Sequence, residues 1–199
     1  MSHEIEYERR ALIDENKYYE ILNFYKDRYL VDSFVIQTNH YFDYKNLKLR
    51  QKGMVLRLRE IRDQQSEFTL KIKGASGDEE INQFITESDK AELLASINLP
   101  EGEVRNTLEK RGIILNKLQY IGALETKRTE IPFKDYLLVI DKNCYLETTD
   151  YNIEIEAKSI EEAESAILEI CRRFNLEYKN DYSSKSSRLF TLLKGRKLI

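Results

Sequence analysis

Alternation of charged and apolar positions recurs along this chain and predicts strands with one polar and one apolar face. In Glu4-Ile5-Glu6-Tyr7-Glu8-Arg9-Arg10-Ala11-Leu12 it places Glu4, Glu6, Glu8, Arg10 and Leu12 on one side, against Ile5, Tyr7, Arg9, Ala11 and Ile13. Met54–Ile61 sends Arg57 and Arg59 one way and Leu56 and Leu58 the other. Glu67–Lys73 sets Thr69, Lys71 and Lys73 against Phe68, Leu70 and Ile72. Ile121–Ile131 carries Thr126, Arg128 and Glu130 on one side, and Asn152–Ala157 opposes Glu154 and Glu156 to Ile153 and Ile155. Further strands are expected at Ser33–Asp43, Glu79–Ile85 and Tyr136–Tyr145.

Helical spacing takes over between these runs. Asp14 can cap a helix to about Asp27 with Tyr18, Ile21, Leu22 and Tyr25 on its buried face. A short turn through Asn46 to Gln51 ends at Gly53. Thr86 opens a helical section that breaks at Pro100-Glu101-Gly102 and stops at Gly112. Ser159 with Glu162 forms a capping box before a helix whose Ala163, Ala166, Ile167, Ile170, Cys171 and Phe174 make an apolar stripe. The stretch from Tyr182 to Phe190 reads as polar and basic before it turns apolar.

Eight strands joined mostly by short turns, with helices that need an apolar sheet face to cover, predict an α+β, largely antiparallel protein. No linker divides the chain, so residues 1–199 are expected to form a single domain. The charged faces have two possible destinations. On a flat sheet they meet water; on a sheet closed into a barrel they line the lumen.

Composition narrows the choice of partner. At 41% hydrophobic and 34% charged residues the chain is globular rather than disordered. Its 32 basic and 35 acidic residues leave a net charge of −3, which gives no overall field for nucleic acid or an anionic membrane. No apolar run reaches the length of a membrane span, and Met1-Ser2-His3-Glu4 opens polar and acidic, so a cytoplasmic location is expected. With only Cys144, Cys171, His3 and His40 available, neither a disulfide framework nor a zinc site is expected.

The charges are also segregated by strand. Acids come from Glu6, Glu8, Glu80, Glu130, Glu154 and Glu156; bases come from Arg10, Arg57, Arg59, Lys71, Lys73, Arg128, Lys185 and Arg188. Carboxylates suit a hard divalent cation such as Mg²⁺ or Mn²⁺, and guanidinium and ammonium groups suit phosphate oxygens. That many bases exceed the needs of one phosphate and point to a linear triphosphate. An internal salt-bridge lattice with no ligand is the competing reading.

The same residues resemble the CYTH family, named for class IV adenylate cyclase and thiamine triphosphatase and known as triphosphate tunnel metalloenzymes, in its small Gram-positive bacterial form. Glu6-Tyr7-Glu8-Arg9-Arg10 stands where the family has E-x-E-x-K, with Arg10 in place of Lys. Tyr41-Phe42-Asp43, Leu56-Arg57-Leu58-Arg59, Thr69-Leu70-Lys71-Ile72-Lys73, Glu154-Ile155-Glu156, Lys185 and Arg188 follow in the family's order. Thr126 stands where a further cation is usual, and Asn82 follows Glu80 without a charge.

The resemblance implies a closed eight-stranded antiparallel β-barrel, a tunnel with helices packed outside. It further implies metal ligands Glu6, Glu8, Glu154 and Glu156, with Mg²⁺ or Mn²⁺ as cofactor. Triphosphate contacts would come from Arg10, Arg57, Arg59, Lys71, Lys73, Arg128, Lys185 and Arg188, with Glu6, Arg10 and Glu154 nearest the chemistry. Glu80, Glu130, Asp141 and Tyr41 are further candidates. The leading expected activity is metal-dependent hydrolysis of inorganic tripolyphosphate, a small-molecule substrate. Thiamine triphosphatase, adenylate cyclase and a non-catalytic triphosphate or nucleotide sensor are the alternatives, and no oligomeric state is assigned.

Overall fold

The alternating runs form eight antiparallel strands and the spaced runs form helices, giving the α+β class expected. The computed structural model describes residues 2–29, 33–74, 78–133, 135–179 and 183–198, with side chains described from Tyr7 onward. Two compact units partition the chain: one holds Gln37–Leu124 with the segments up to Ile5 and from Ser186 onward, the other Glu6–Ile36 and Glu125–Lys185.

The second of these units is built on the strand order β1-β8-β7-β6, with β1 Ser2–Ile13, β6 Gln119–Pro132, β7 Tyr136–Tyr145 and β8 Thr148–Ala157. Its apolar face joins Ala11, Ile131, Leu138, Ile140, Ile153 and Ile155 into one cluster with two helices. Helix α1 (Glu15–Tyr29) contributes Tyr18, Ile21, Leu22 and Tyr25, and α5 (Ile160–Arg173) contributes Ala163, Ala166, Ile167, Ile170 and Cys171. Burying each large side chain of this set contributes about 1.5–3 kcal/mol. Asp14 accepts from the Lys17 N–H at 2.8 Å and Ser159 from the Glu162 N–H at 3.2 Å, so both helix starts are capped, although at Ser159 the structure shows the serine half of the expected capping box and not the return bond from Glu162.

Strands β7 and β8 are joined by a two-residue turn, since Tyr145 pairs with Thr148, and both turn residues have positive φ, Leu146 at 46° and Glu147 at 62°. The twist of a hairpin favours that geometry but side chains disfavour it. Glu147→Gly is expected to raise stability by about 0.5–1 kcal/mol, read as a higher melting temperature; a lower one would refute strain at this tip.

The other unit has the order β2-β3-β4-β5, with β2 Val35–Asp43, β3 Met54–Ile61, β4 Glu67–Ile72 and β5 Asp78–Phe84. Phe42, Leu56, Leu58, Phe68, Leu70 and Ile81 pack against α2 (Lys48–Gln51), α3 (Glu87–Ser96) and α4 (Glu103–Lys110) through Leu49, Leu93, Val104 and Leu108. Thr86 and Asp89 complete a capping box at the start of α3. One difference from the sequence pattern stands out: the basic stretch after Ser184 is a helix, α6 (Lys185–Gly195), with Ser186, Leu189, Phe190 and Leu193 buried. Its serine-rich start masks a short apolar stripe that helical spacing completes only at Leu193. Among the described residues no helix is long and apolar enough to cross a membrane.

Candidate functional site

In each unit the candidate site residues share the sheet face opposite the helices, because alternation is unbroken through β1, β3, β4, β5 and β8, whereas Arg9 of β1 points to the helix side and pairs with Glu164 of α5. The two faces differ in how their charges are satisfied.

In the β1-β8-β7-β6 unit, three cations enclose two carboxylates. Register sets Arg10 opposite Glu154 and Arg128 opposite Asp141. Arg10 Nε donates to Glu154 Oε1, and Lys185 Nζ, at the first residue of α6, donates to the same oxygen at 2.7 Å. Arg128 grips Asp141 with two bonds of 3.0 and 2.9 Å, and its Nη2 also donates to Glu154 Oε2 at 3.0 Å. Lys185 lies 2.8 Å from Asp141 Oδ2. Glu154 is 2% exposed and Asp141 0%, so these charges interact with little screening by water.

Burial is the largest single influence on both carboxyls and pushes them up. For Glu154, Arg10, Lys185 and Arg128 together outweigh it and hold the group well below the usual range. Arg128 and Lys185 do the same for Asp141, which is also lowered. Sequence placed Asp141 only among the lesser candidates; it is a centre of this network. Thr126, the position short of a cation, is buried and donates to Asn143 at 2.8 Å, and Asn143 in turn donates to Asn152 at 2.8 Å. A neutral side chain therefore suits that position.

The remaining acids of this unit are more open. Glu8 stands directly opposite Glu156 and accepts from Arg10 Nη2 at 2.9 Å. Glu156 lies 3.9 Å from Arg128, and Glu130, largely exposed, lies 3.7 Å from the same guanidinium. The Glu6 side chain, assigned from the sequence to metal and catalysis, lies outside the described residues. Among the described residues no three His, Cys, Asp or Glu side chains gather as metal ligands. The donor types at Glu8 and Glu156 fit a hard cation, half-exposed carboxylates facing each other across two strands. Glu154 differs, with both its oxygens engaged by cations.

In the β2-β3-β4-β5 unit the basic pairs face the same way as Glu80 and Glu67. Lys71 lies 3.2 Å from Glu80 and Arg57 3.8 Å from it, while Arg59 is 3.8 Å from Glu67 and donates to Asn39 at 3.3 Å. Burial pushes Glu80 up, but Arg57, Lys71 and Arg59 prevail and hold it at about 2. Lys73 is exposed, just past the end of β4, and Arg188 is half-buried on α6. Tyr41 is buried, its ring edge-on to Phe190.

The Asp43 of the Tyr-Phe-Asp segment is structural. Its carboxylate accepts from the N–H groups of Tyr44, Leu49 and Arg50 at 2.6, 2.8 and 3.1 Å and so holds the α2 turn. Sequence reasoning passed over Arg50, which donates to Ser187 Oγ at 3.0 Å and lies over the Phe190 ring. It also passed over Thr69. Among the described residues, four buried side-chain atoms without a hydrogen-bond partner, on Arg50, Arg57, Thr69 and Asn82, all lie in this unit.

Comparison with known proteins agrees with the geometry. The CYTH domain pattern matches residues 4–188. YjbK of Bacillus subtilis (strain 168), named as a candidate triphosphatase, is 32% identical over 176 residues, covering 88% of this chain and 90% of that protein. A crystal structure of a candidate adenylate cyclase from Bacillus halodurans superposes with a TM-score of 0.87 at 31% identity, covering 96% of this chain and all of that one. HpAC1 from Hippeastrum, a candidate adenylyl cyclase described as having a dominant triphosphatase activity, shares the fold at a TM-score of 0.74 and 18% identity, covering 98% of each chain.

Proposed function

The chain belongs to the CYTH domain family, and we propose that it hydrolyses a linear triphosphate, with inorganic tripolyphosphate the leading substrate and Mg²⁺ or Mn²⁺ the cofactor. Closure of the eight strands into one tunnel, within a single domain of residues 1–199, is part of this reading. So is a cytoplasmic location. The likeness to YjbK supports the hydrolytic activity.

The observation that carries the proposal is the buried Nε of Arg57, which has no partner although it stands on a face with Arg59 and Lys71. A salt-bridge lattice with no ligand would pair such a donor, as the network around Glu154 pairs its own. A polyanion supplies what is missing.

On this reading Arg57, Arg59, Lys71, Lys73 and Arg188 bind the phosphates and spread their charge, and Arg10, Arg128 and Lys185 add the field of a buried cluster with three positive and two negative groups. Glu154 and Asp141 fix the orientation of those three cations. Glu8 and Glu156, with Glu6, would hold the divalent cation, which when bound neutralises phosphate charge and lowers the pKa of water. Glu6 carries the role of positioning the attacking water. Glu154 is a metal ligand only if it exchanges one of its cationic partners.

One feature favours an organic triphosphate as a second reading. Phe84, 60% exposed, shares the polar face of β5 with Glu80 and Asn82 and pairs with Glu67. An aromatic group attached to the triphosphate could stack there, as a thiamine triphosphatase would require.

Phosphate release from tripolyphosphate, thiamine triphosphate and ATP, each with Mg²⁺ and with Mn²⁺, tests these readings together. The fastest release is expected from tripolyphosphate, with none in EDTA. Tight binding without release would identify a sensor, and cyclic AMP formed from ATP a cyclase.

A further inference from the structure

Tyr41, Arg57, Thr69 and Asn82 stand side by side across β2, β3, β4 and β5, since Tyr41 pairs with Arg57, Arg57 with Thr69, and Thr69 with Asn82. Alternation turns them all to the face away from the apolar cluster. Three of the four carry a buried atom without a hydrogen-bond partner: Arg57 Nε, Thr69 Oγ1 and Asn82 Oδ1. Thr69 is 0% exposed and Asn82 8%. An orphaned buried polar atom costs about 1–3 kcal/mol, and native sheets seldom hold several together. The flanking rows differ, for Lys71 meets Glu80 at 3.2 Å on one side and Arg59 approaches Glu67 at 3.8 Å on the other.

We infer that Arg57, Thr69 and Asn82 form a subsite for one phosphoryl group, in which a hydroxyl and an amide add uncharged donors beside the guanidinium. The inference rests on the triphosphatase reading above. A phosphoryl oxygen accepts from Arg57 Nε–H and from the Thr69 hydroxyl. The Asn82 amide, turned half a revolution about its terminal bond, presents Nδ2 in place of Oδ1 and donates as well. Neutrality at position 82 matters because a carboxylate in this row would face the phosphoryl oxygen with like charge, and here it would have no Lys71 to offset it.

Thr69→Val keeps the shape of the side chain and removes only the hydroxyl, and Asn82→Asp keeps the shape and adds charge. Tripolyphosphate binding by calorimetry, with and without Mg²⁺, and thermal melting of the free protein are the two readouts. The expected result for Thr69→Val is about tenfold weaker binding with a melting temperature equal to or above that of the wild type, since an unsatisfied hydroxyl is lost. Asn82→Asp is expected to bind more weakly still. Wild-type affinity in Thr69→Val, or a lowered melting temperature alongside weaker binding, would overturn the subsite while leaving the triphosphatase reading intact. Failure of the wild type to bind tripolyphosphate would overturn both.

Discussion

Glu154→Gln is expected to lower stability by about 3–5 kcal/mol and to remove nearly all phosphate release. The substitution keeps the shape of the side chain but leaves Arg10, Arg128 and Lys185 with Asp141 as the only buried anion among them. Glutamine can accept one or two hydrogen bonds there but cannot balance the charge. For a chain of this length the loss corresponds to a fall in melting temperature on the order of 10 °C.

The pH dependence adds an independent check. Glu154 and Asp141 ionise in the folded protein below their ordinary values of 4.5 and 3.8, so the unfolded chain binds more protons in that range. Their stabilisation is complete above the unfolded values and is lost as pH falls through the folded ones. Glu154→Gln should therefore show a shallower loss of stability between about pH 5 and pH 2. A variant that melts like the wild type at neutral pH, with the same acid limb, would show that the network contributes nothing.

Arg57→Met is expected to show the opposite balance, with a fall in turnover of about a thousandfold and a loss of stability of only about 1–2 kcal/mol, since Lys71 and Arg59 still face Glu80. Arg57 is 3.8 Å from Glu80, whose nearer partner is Lys71, and its Nε has no partner at all. The fold's gain from this guanidinium is its share, with Lys71 and Arg59, in offsetting the burial of Glu80, and that leaves its Nε unused. Charge developing on a transferring phosphoryl group would use it fully. Steady-state phosphate release and a thermal melt on the same preparation separate the outcomes. A large drop in melting temperature with turnover nearly preserved would make Arg57 structural and remove the observation on which the function rests.

Much of this was readable in the chain because strand alternation is strict where the charges lie. Glu8, Arg10, Arg57, Arg59, Lys71, Glu154 and Glu156 occupy the faces that a two-residue period assigns them. What the period could not supply was pairing between distant strands. Asp141 directly follows the apolar run Tyr136-Leu137-Leu138-Val139-Ile140, and only the register with Arg128 and the approach of Lys185 make it a centre of charge. Thr69 looked unremarkable and Asn82 only a missing charge for a related reason: a neutral side chain shows its importance only when its neighbours fail to satisfy it. Asp43 belongs to the Tyr-Phe-Asp segment that carries the resemblance, and what the pattern alone could not show is that its carboxylate holds the α2 turn.

The bonds around Glu154 also bear on when this protein can become stable during its synthesis. Arg10 is 144 residues before Glu154, Arg128 is 26 before it, and Lys185 follows it by 31. Strand β8 leaves the ribosome carrying a carboxylate meant for a dry interior while one of its three counter-charges, 31 residues further on, is still enclosed by the ribosome. Until Lys185 is free to approach, Glu154 and Asp141 lack one of the three cations that offset their desolvation, and burying them is less favourable than in the complete cluster. Such long-separation contacts also form slowly, because the intervening chain must first be ordered. Consolidation of the unit thus waits for the first turn of α6, and the nascent chain spends that interval with its charged face still wet.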